Sequence, residues 1–402
     1  MSELVSGDFG ARLREARARR RLTQSVVADL VGISQGQLSR LESGDRHPVE
    51  RRLLEDLAYV LGRAVPELTG MQGQEPDFAP VLSPLSAALA AATLDDVPDV
   101  PARPVEELAR LVRVANRASA DSRYVVANEE LAALLVESHV RFVTGPARER
   151  RAALAAVGEA CLVAVGVARS LGDYPLALAA GERARAAAAR REDPVLAGFA
   201  SMSTSVVQAR IVDRAAAWDT AAAALDSLAR ADPDAEDAAS AEAAGMLHLA
   251  LAQLGAKQHD RDIATTHHTE AAALAARTGE RRTLCFDFGP SNALAWGLAG
   301  KVELGEGPRR AEEIVRVPGY DKGLGSRDRR AALHFDLARG FAQAEGARDD
   351  LAVWHLDQAD WIAPERIRND PLSRGLVEDL VARGRCPGPE MDSLEGRLAP
   401  SR

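Results

Sequence analysis

The chain has 402 residues, of which 47% are hydrophobic, 4% aromatic and 27% charged. This is enough apolar sequence to bury a sizeable core in more than one domain, and scarce aromatics beside abundant alanine favour helix over sheet. The net charge of −9 is uneven: residues 1–70 carry 11 Arg against 10 Asp and Glu, which leaves −10 for the remainder and argues against a uniformly basic polyanion-binding chain.

The N-terminal decapeptide has no apolar signal core, and the charge-free window 195–209 is short of a membrane span. Three widely separated cysteines, Cys161, Cys285 and Cys386, form no CxxC pair, which points to a reducing compartment without a disulfide frame or zinc site. A soluble, cytoplasmic, nucleoid-associated protein without a membrane contact is expected.

Residues 8–20 predict a first helix with Phe9, Leu13 and Ala16 on one side. Its stretch RLREARARRR (12–21) sets six arginines against Glu15. Such a local +5 suits a polyanion partner or a solvated helix face. Thr23 suits an N-cap for a second helix whose inner side is Val27, Ala28 and Val31, and Gly32 a tight turn after it. Ile33 plugs that turn, and Ser34 caps a third helix, SQGQLSRLESG. Leu38 and Leu41 face inward there; Gly36, Arg40 and Ser43 point the opposite way, flanked by Gln35 and Ser39. Gly44 closes it. A fourth helix after Pro48 turns Leu53, Leu54, Leu57 and Leu61 inward, and VPELTG makes a fifth turn. Two helices joined by a glycine turn, the second with a slim polar face, form a helix-turn-helix arrangement suited to the major groove.

The stretch 9–69 resembles the phage-repressor-like, or Xre-type, DNA-binding domain. The matching residues are LTQ (22–24), ADLVGIS (28–34), LSRLESG (38–44) and Pro48 followed by an apolar helix. The resemblance implies that Gln35, Gly36, Ser39 and Arg40 read bases, with Gln35 suited to adenine and Arg40 to guanine. It places Arg17, Arg20, Gln24, Ser34, Ser43 and Arg46 at the phosphate backbone and pairs Arg17 with Glu42. Gly36 departs from the usual polar side chain, and Asp45 is unusual facing phosphate. Double-stranded DNA with a pseudo-palindromic operator, bound by a homodimer, is the implied partner.

Seven prolines between 66 and 104 suggest a connector over residues 71–104, with a helix in SPLSAALAAATL. From 105 to 384 helices follow one another. LGDYPLALAAGERARAAA (171–188) resembles the turn and second helix of a tetratricopeptide repeat, with Ala177 and Ala184 as its small positions. GFAQAEGARDDLAVWHLDQADWIAP (340–364), with Ala352 and Ala359, resembles it again; Ala264, Ala271 and Ala311 mark weaker copies, and RAAAWDTAAAALDSLA leaves room for another. The last residues, 385–402, read as a disordered tail.

The expected fold is thus all-α: a five-helix DNA-binding domain followed by an α-solenoid of helical hairpins. This combination resembles regulators of high-GC bacteria and peptide-pheromone sensors. FGPSN (288–292) resembles a motif of the former, and Asn292, Trp296 and His248 are candidate contacts for a peptide or small-molecule effector. The alternative for Asn292 is a buttress between helices; the alternative for the whole chain is a DNA-anchored scaffold for a partner protein. His259, His267 and His268 lie near Asp260 and Asp262 without metal-ligand spacing, and no phosphate loop or nucleophile elbow is present. No catalysis, metal or cofactor is expected. Trp354 and Trp361 suit either a pocket or the core.

Overall fold

The computed structural model describes residues 9–70, 78–284 and 286–398. Two compact units form: one joins the residues up to 76 with 301–318 and 331–402, the other comprises 77–300 with 319–330.

The five N-terminal helices form as the sequence suggests: α1 (Phe9–Arg19), α2 (Gln24–Val31), α3 (Gln35–Ser43), α4 (Arg51–Leu61) and α5 (Val65–Thr69). Thr23 Oγ1 accepts from Val26 N and caps α2. Gly32 ends it at φ 71°, and Ser34 opens α3 in a reciprocal capping box with Gln37. Phe9, Leu13, Val27, Val31, Leu38, Leu41, Leu54, Leu57 and Leu61 are buried. Gly10 is required by a close approach, since a Cβ there would lie 2.6 Å from Leu41 O and 2.7 Å from Glu42 O.

The second unit begins with α6 (Ala79–Ala91), α7 (Val105–Ala120), α8 (Tyr124–Asn128) and α9 (Leu131–Thr144), then runs through α10 (Ala147–Ser170), α11 (Tyr174–Arg191), α12 (Pro194–Ile211), α13 (Arg214–Ala231), α14 (Ala238–Lys257) and α15 (Arg261–Thr278). α10 pairs with α11, α12 with α13 and α14 with α15, and the first members also touch one another in sequence, α10 on α12 and α12 on α14. The five helices from α11 to α15 share one start signal: Asp173, Asp193, Asp213, Asp237 and Asp260 each accept from a backbone N–H in the first turn. The second helices carry the alanines that mark the repeat: Ala177 and Ala184 in α11, Ala217 and Ala221 in α13, Ala271 in α15, all fully buried. α13 fills the gap in the repeat spacing. Helix α10 alone among the described residues is long and apolar enough to cross a membrane, and 72% of its apolar window is buried inside the protein.

A two-stranded antiparallel hairpin, β1 (Arg281–Thr283) with β2 (Phe286–Phe288), interrupts the helices and leads into α16 (Pro290–Glu303). The sequence reading contained no strand here. Phe288 is fully buried and lies over Gly245 of α14, where a Cβ would come within 2.0 Å of the ring.

The chain ends with α17 (Gly307–Val315), α18 (Arg327–Ala342), α19 (Asp349–Ile362), α20 (Pro364–Arg368), α21 (Pro371–Arg383) and α22 (Pro389–Leu398). Ala311 of α17 and Ala352 and Ala359 of α19 are fully buried, as the repeat pattern predicts.

Two expected irregular segments are ordered instead. Of the connector, 71–77 lies outside the described residues; beyond it Leu82, Leu85, Ala88 and Leu89 of α6 join the core of the second unit. Arg103 then donates to Glu137 Oε1 at 2.7 Å, and Arg141 Nε donates to Arg103 O at 2.7 Å. Proline content marked the breaks between helices but not their burial. In the expected tail, Met391, Leu394 and Leu398 turn inward from α22, and Arg397 donates to Asp357 at 2.5 Å; residues 399–402 lie outside the described residues.

Gly245→Ala is expected to lower stability by about 1–3 kcal/mol, because the added methyl must displace Phe288 from a packed site. Chemical denaturation of the full chain measures this; an unchanged midpoint would mean that Phe288 is not anchored on α14.

Candidate nucleic-acid interface and cavity

Helix α3 presents the face that the sequence singled out. Gln35, Gly36 and Arg40 are exposed and Ser39 is half-buried. Gln35 Nε2 donates to Gln24 Oε1 at 2.7 Å, and Gln24 Nε2 donates to Glu42 Oε2 at 2.8 Å. Glu42 is buried and takes two further bonds from Arg17, Nε to Oε1 at 2.5 Å and Nη2 to Oε2 at 2.9 Å. A chain of hydrogen bonds therefore runs from the exposed Gln35 into the domain. Burial acts to raise the Glu42 pKa, but the bonds from Arg17 and Gln24 and the charges of Arg17 and Arg14 outweigh it and hold the carboxyl below its usual range.

Several basic residues read as backbone contacts have structural work. Arg17 also donates to Leu22 O at 2.9 Å. Arg20 donates to Val60 O at 2.6 Å at the end of α4, Arg12 to Leu68 O at 2.8 Å, and Arg14 to Glu42 O at 2.6 Å. Much of the arginine run thus staples α1 to the ends of α3, α4 and α5, rather than forming a plain solvated face. Arg46 forms an ion pair with Glu345 at 3.2 Å. Ser34 is committed to its capping box, and Ser43 Oγ donates to Asp45 at 2.5 Å, which accounts for the acid at that position.

Helix α4 reveals an interaction that the sequence reading missed. Its N-cap, Glu50, makes no side-chain cap bond. The Glu303 carboxylate accepts instead from Arg51 N at 3.3 Å and Arg52 N at 2.9 Å. Arg339 Nη2 donates to Glu303 at 2.5 Å, and its Nε donates to Val49 O at 2.8 Å. Gln343 Nε2 donates to Glu50 at 2.9 Å, and Arg51 to Asp370 at 2.5 Å. The helix-turn-helix is thereby bound to α18 and its neighbours within the first unit.

In the second unit, a cavity of about 130 Å³ is lined from the first helices of successive hairpins, α10, α12, α14, α16 and the start of α18, together with α7, α8 and β2. Asn292 and Trp296 line it; His248 does not, and pairs instead with His267 at 2.9 Å. Burial, followed by the neighbouring His267, lowers the His248 pKa to about 4. Asn292 is 1% exposed, and both ends of its amide are used: Nδ2 donates to Asp287 O at 2.6 Å, and Oδ1 accepts from Arg329 Nε at 2.9 Å. This geometry matches the buttress reading of Asn292. The Arg329 guanidinium lies 5.5 Å from the centre of the Trp296 ring. Trp354 and Trp361 are exposed on α19, in neither core nor cavity.

Residues 8–69 match the family of helix-turn-helix domains. No curated protein and no solved structure matched the chain. The N-terminal domain is thus a helix-turn-helix of the DNA-binding class, and it occupies a minor part of the chain.

Because the folded Glu42 pKa is depressed, its contribution to stability is complete above the unfolded carboxyl pKa of about 4.3 and is lost as pH falls through the lower folded value. Glu42→Gln is expected to destabilise the domain by about 3 kcal/mol at neutral pH and to flatten this acid limb. Urea denaturation as a function of pH reads both effects; a variant that keeps the wild-type acid limb would assign it to other carboxylates.

Proposed function

We propose that the chain is a sequence-specific DNA-binding transcription regulator of the Xre type. Its tetratricopeptide-like helical region (105–384) forms a homodimer and senses a small effector; the protein is cytoplasmic and has no catalytic activity. The observation that carries the DNA-reading part is Gly36. Its surroundings are open, with no atom within 4 Å of a would-be Cβ, and its backbone is not left-handed. Neither packing nor backbone conformation calls for glycine there, in the first turn of α3, where alanine would cost less conformational entropy. Close approach of a partner to α3 explains its presence. Gln35 beside it is exposed and oriented by Gln24 and Glu42, an arrangement suited to two hydrogen bonds with an adenine edge.

A single domain reads few base pairs, so two copies on a pseudo-palindrome supply specificity. The exposed Trp354 (49%) and Trp361 (72%) offer the aromatic surface that such contacts use. The effector reading rests on the cavity on the inner side of the hairpins, and it favours a small ligand over a protein scaffold. The helices that bring Asn292 and Arg329 to this cavity, α16 and α18, are also those that carry Glu303 and Arg339. A ligand that shifts these helices therefore has a covalent route to the residues that hold α4.

Gly36→Ala is expected to raise thermal stability by about 0.5–1 kcal/mol and to weaken operator binding. Gln35→Ala should cost about 1–3 kcal/mol at the cognate site and relax one base position. Sites selected from random duplexes, followed by titration with each variant, measure both. Tighter folding with unchanged DNA affinity in Gly36→Ala, together with an unaffected Gln35→Ala, would remove α3 as the reading helix. Sedimentation of the full chain at micromolar concentration should give the dimer mass; a monomer there would refute the dimer.

A further inference from the structure

Building on the proposed DNA reading, we infer that Glu345, in the turn between α18 and α19, is a built-in competitor of the DNA backbone. Its carboxylate occupies Arg46, and a docking duplex must displace it to bring a phosphate there. Arg46 follows the glycine that closes α3, and its backbone N–H donates to Arg40 O at 3.2 Å. The root of its side chain is thus fixed to the end of the reading helix, where a phosphate contact sets register. Arg46 Nη1 lies 3.2 Å from Glu345 Oε1, and the two side chains are 22% and 62% exposed. A single, partly exposed ion pair of this kind is weak. A phosphate oxygen offers the guanidinium a charge-assisted bond in its place, so the pair is one that a duplex can exchange.

Neither packing nor the turn itself calls for glutamate at position 345. The side chain is mostly in solvent, and the backbone stands at φ 50°, a left-handed conformation that side chains rarely adopt and glycine adopts without strain. A strained residue without a packing role points to a function. The turn is nevertheless fastened. Gln343 Nε2 donates to Glu50 at 2.9 Å and to Val302 O at 2.8 Å, and Arg383 donates to Ala342 O at 3.0 Å. Glu345 N itself donates to Ala342 O at 3.3 Å. The other acids beside Arg46 have work elsewhere. Asp45 accepts the Ser43 hydroxyl at 2.5 Å, and Asp379 is buried and held by Arg383 and the His47 backbone.

Such a competitor acts on affinity and salt dependence rather than on sequence preference. An unpaired arginine that meets a phosphate releases a condensed cation, which adds about 0.9 to the slope of log affinity against log salt. When the phosphate replaces Glu345, the freed carboxylate attracts a cation of its own, and most of that release is cancelled.

The test compares the full-length wild type with Glu345→Gln, Arg46→Gln and the double variant. Each is titrated with the duplex selected by the wild type and with a random duplex between about 50 and 200 mM salt, and circular dichroism melting checks folding. Glu345→Gln is expected to bind both duplexes about two- to fivefold more tightly and to steepen the salt slope by about 0.9. In the Arg46→Gln background the same substitution should give at most half of either effect. Glu345→Gly, which suits the left-handed backbone, should show the same gain and serves where glutamine disturbs the turn. Unchanged affinity and slope in both Glu345 variants overturn the inference. So does an equal gain in both backgrounds, which would make Glu345 a general source of repulsion. Gln35→Ala separates the two readings: if it weakens the selected duplex while the Glu345 variants change nothing, DNA reading by α3 stands and only the competitor falls. If no duplex is selected at all, both fall.

Discussion

The Glu303 carboxylate at the start of α4 is the constraint on which the arrangement of the first unit depends. A helix begins with backbone N–H groups that need acceptors. The sequence Pro48-Val49-Glu50 supplies no local side-chain cap, and the acceptor arrives from about 250 residues away. A carboxylate suits a helix N-terminus because it meets both the N–H groups and the positive end of the dipole. Buried, it needs a cation, and Arg339 provides one. Burial lowers the Arg339 pKa, yet Glu303 and Asp336 outweigh that effect and hold it above the ordinary arginine value. Such a pair adds little net stability over an apolar substitute, but removal of either member leaves a buried charge uncompensated. Its effect is to specify position. The helix-turn-helix is therefore part of a larger body, rather than a head on a tether.

Under the proposed effector role, this bears on how a signal would reach the helix-turn-helix. A flexible connector would let the DNA-binding domain average over many orientations, and little of a ligand's differential binding energy would survive. Helices α16 and α18 each contribute residues to both units. Asn292 and Glu303 lie on one helix about three turns apart, and Arg329 and Arg339 lie similarly on another.

The legible part of the structure was local. Thr23, Gly32, Ser34 and Gly44 fix the helix-turn-helix because capping and left-handed turns are short-range demands. The alanine spacing found the second helix of each hairpin, including the one hidden in RAAAWDTAAAALDSLA, because small residues recur wherever paired helices approach closely. The remainder depends on partners far apart in sequence. Glu303 looks like any acidic residue near the end of a helix, and nothing adjacent marks it as the cap of α4. Proline density suggested a connector, yet Leu82, Leu85 and Leu89 are buried: Pro80 sits in the first turn of α6, where proline is compatible with a helix, and Pro84 lies within the helix itself. The arginine run suggested charge alone, whereas its members reach backbone carbonyls at the ends of other helices. Arg329 and Asp328 sit in SRDRR, a stretch that reads as solvated until the fold brings Asn292 and Tyr124 to them.

Asn292 and Glu42 show why site residues and supporting residues are hard to separate in a sequence. Each is a buried polar side chain whose hydrogen-bonding capacity goes to holding another residue: Glu42 orients Gln24 and, through it, Gln35; Asn292 orients Arg329. An unsatisfied buried polar group is costly, so such residues persist only where a full set of partners exists. The exposed partner is then free to be simple. Gln35 needs only to stand at the edge of a slim helix, and Gly36 needs only to be absent of side chain. On the proposed reading, recognition would rest on a few exposed atoms whose positions are set by the buried network beneath them.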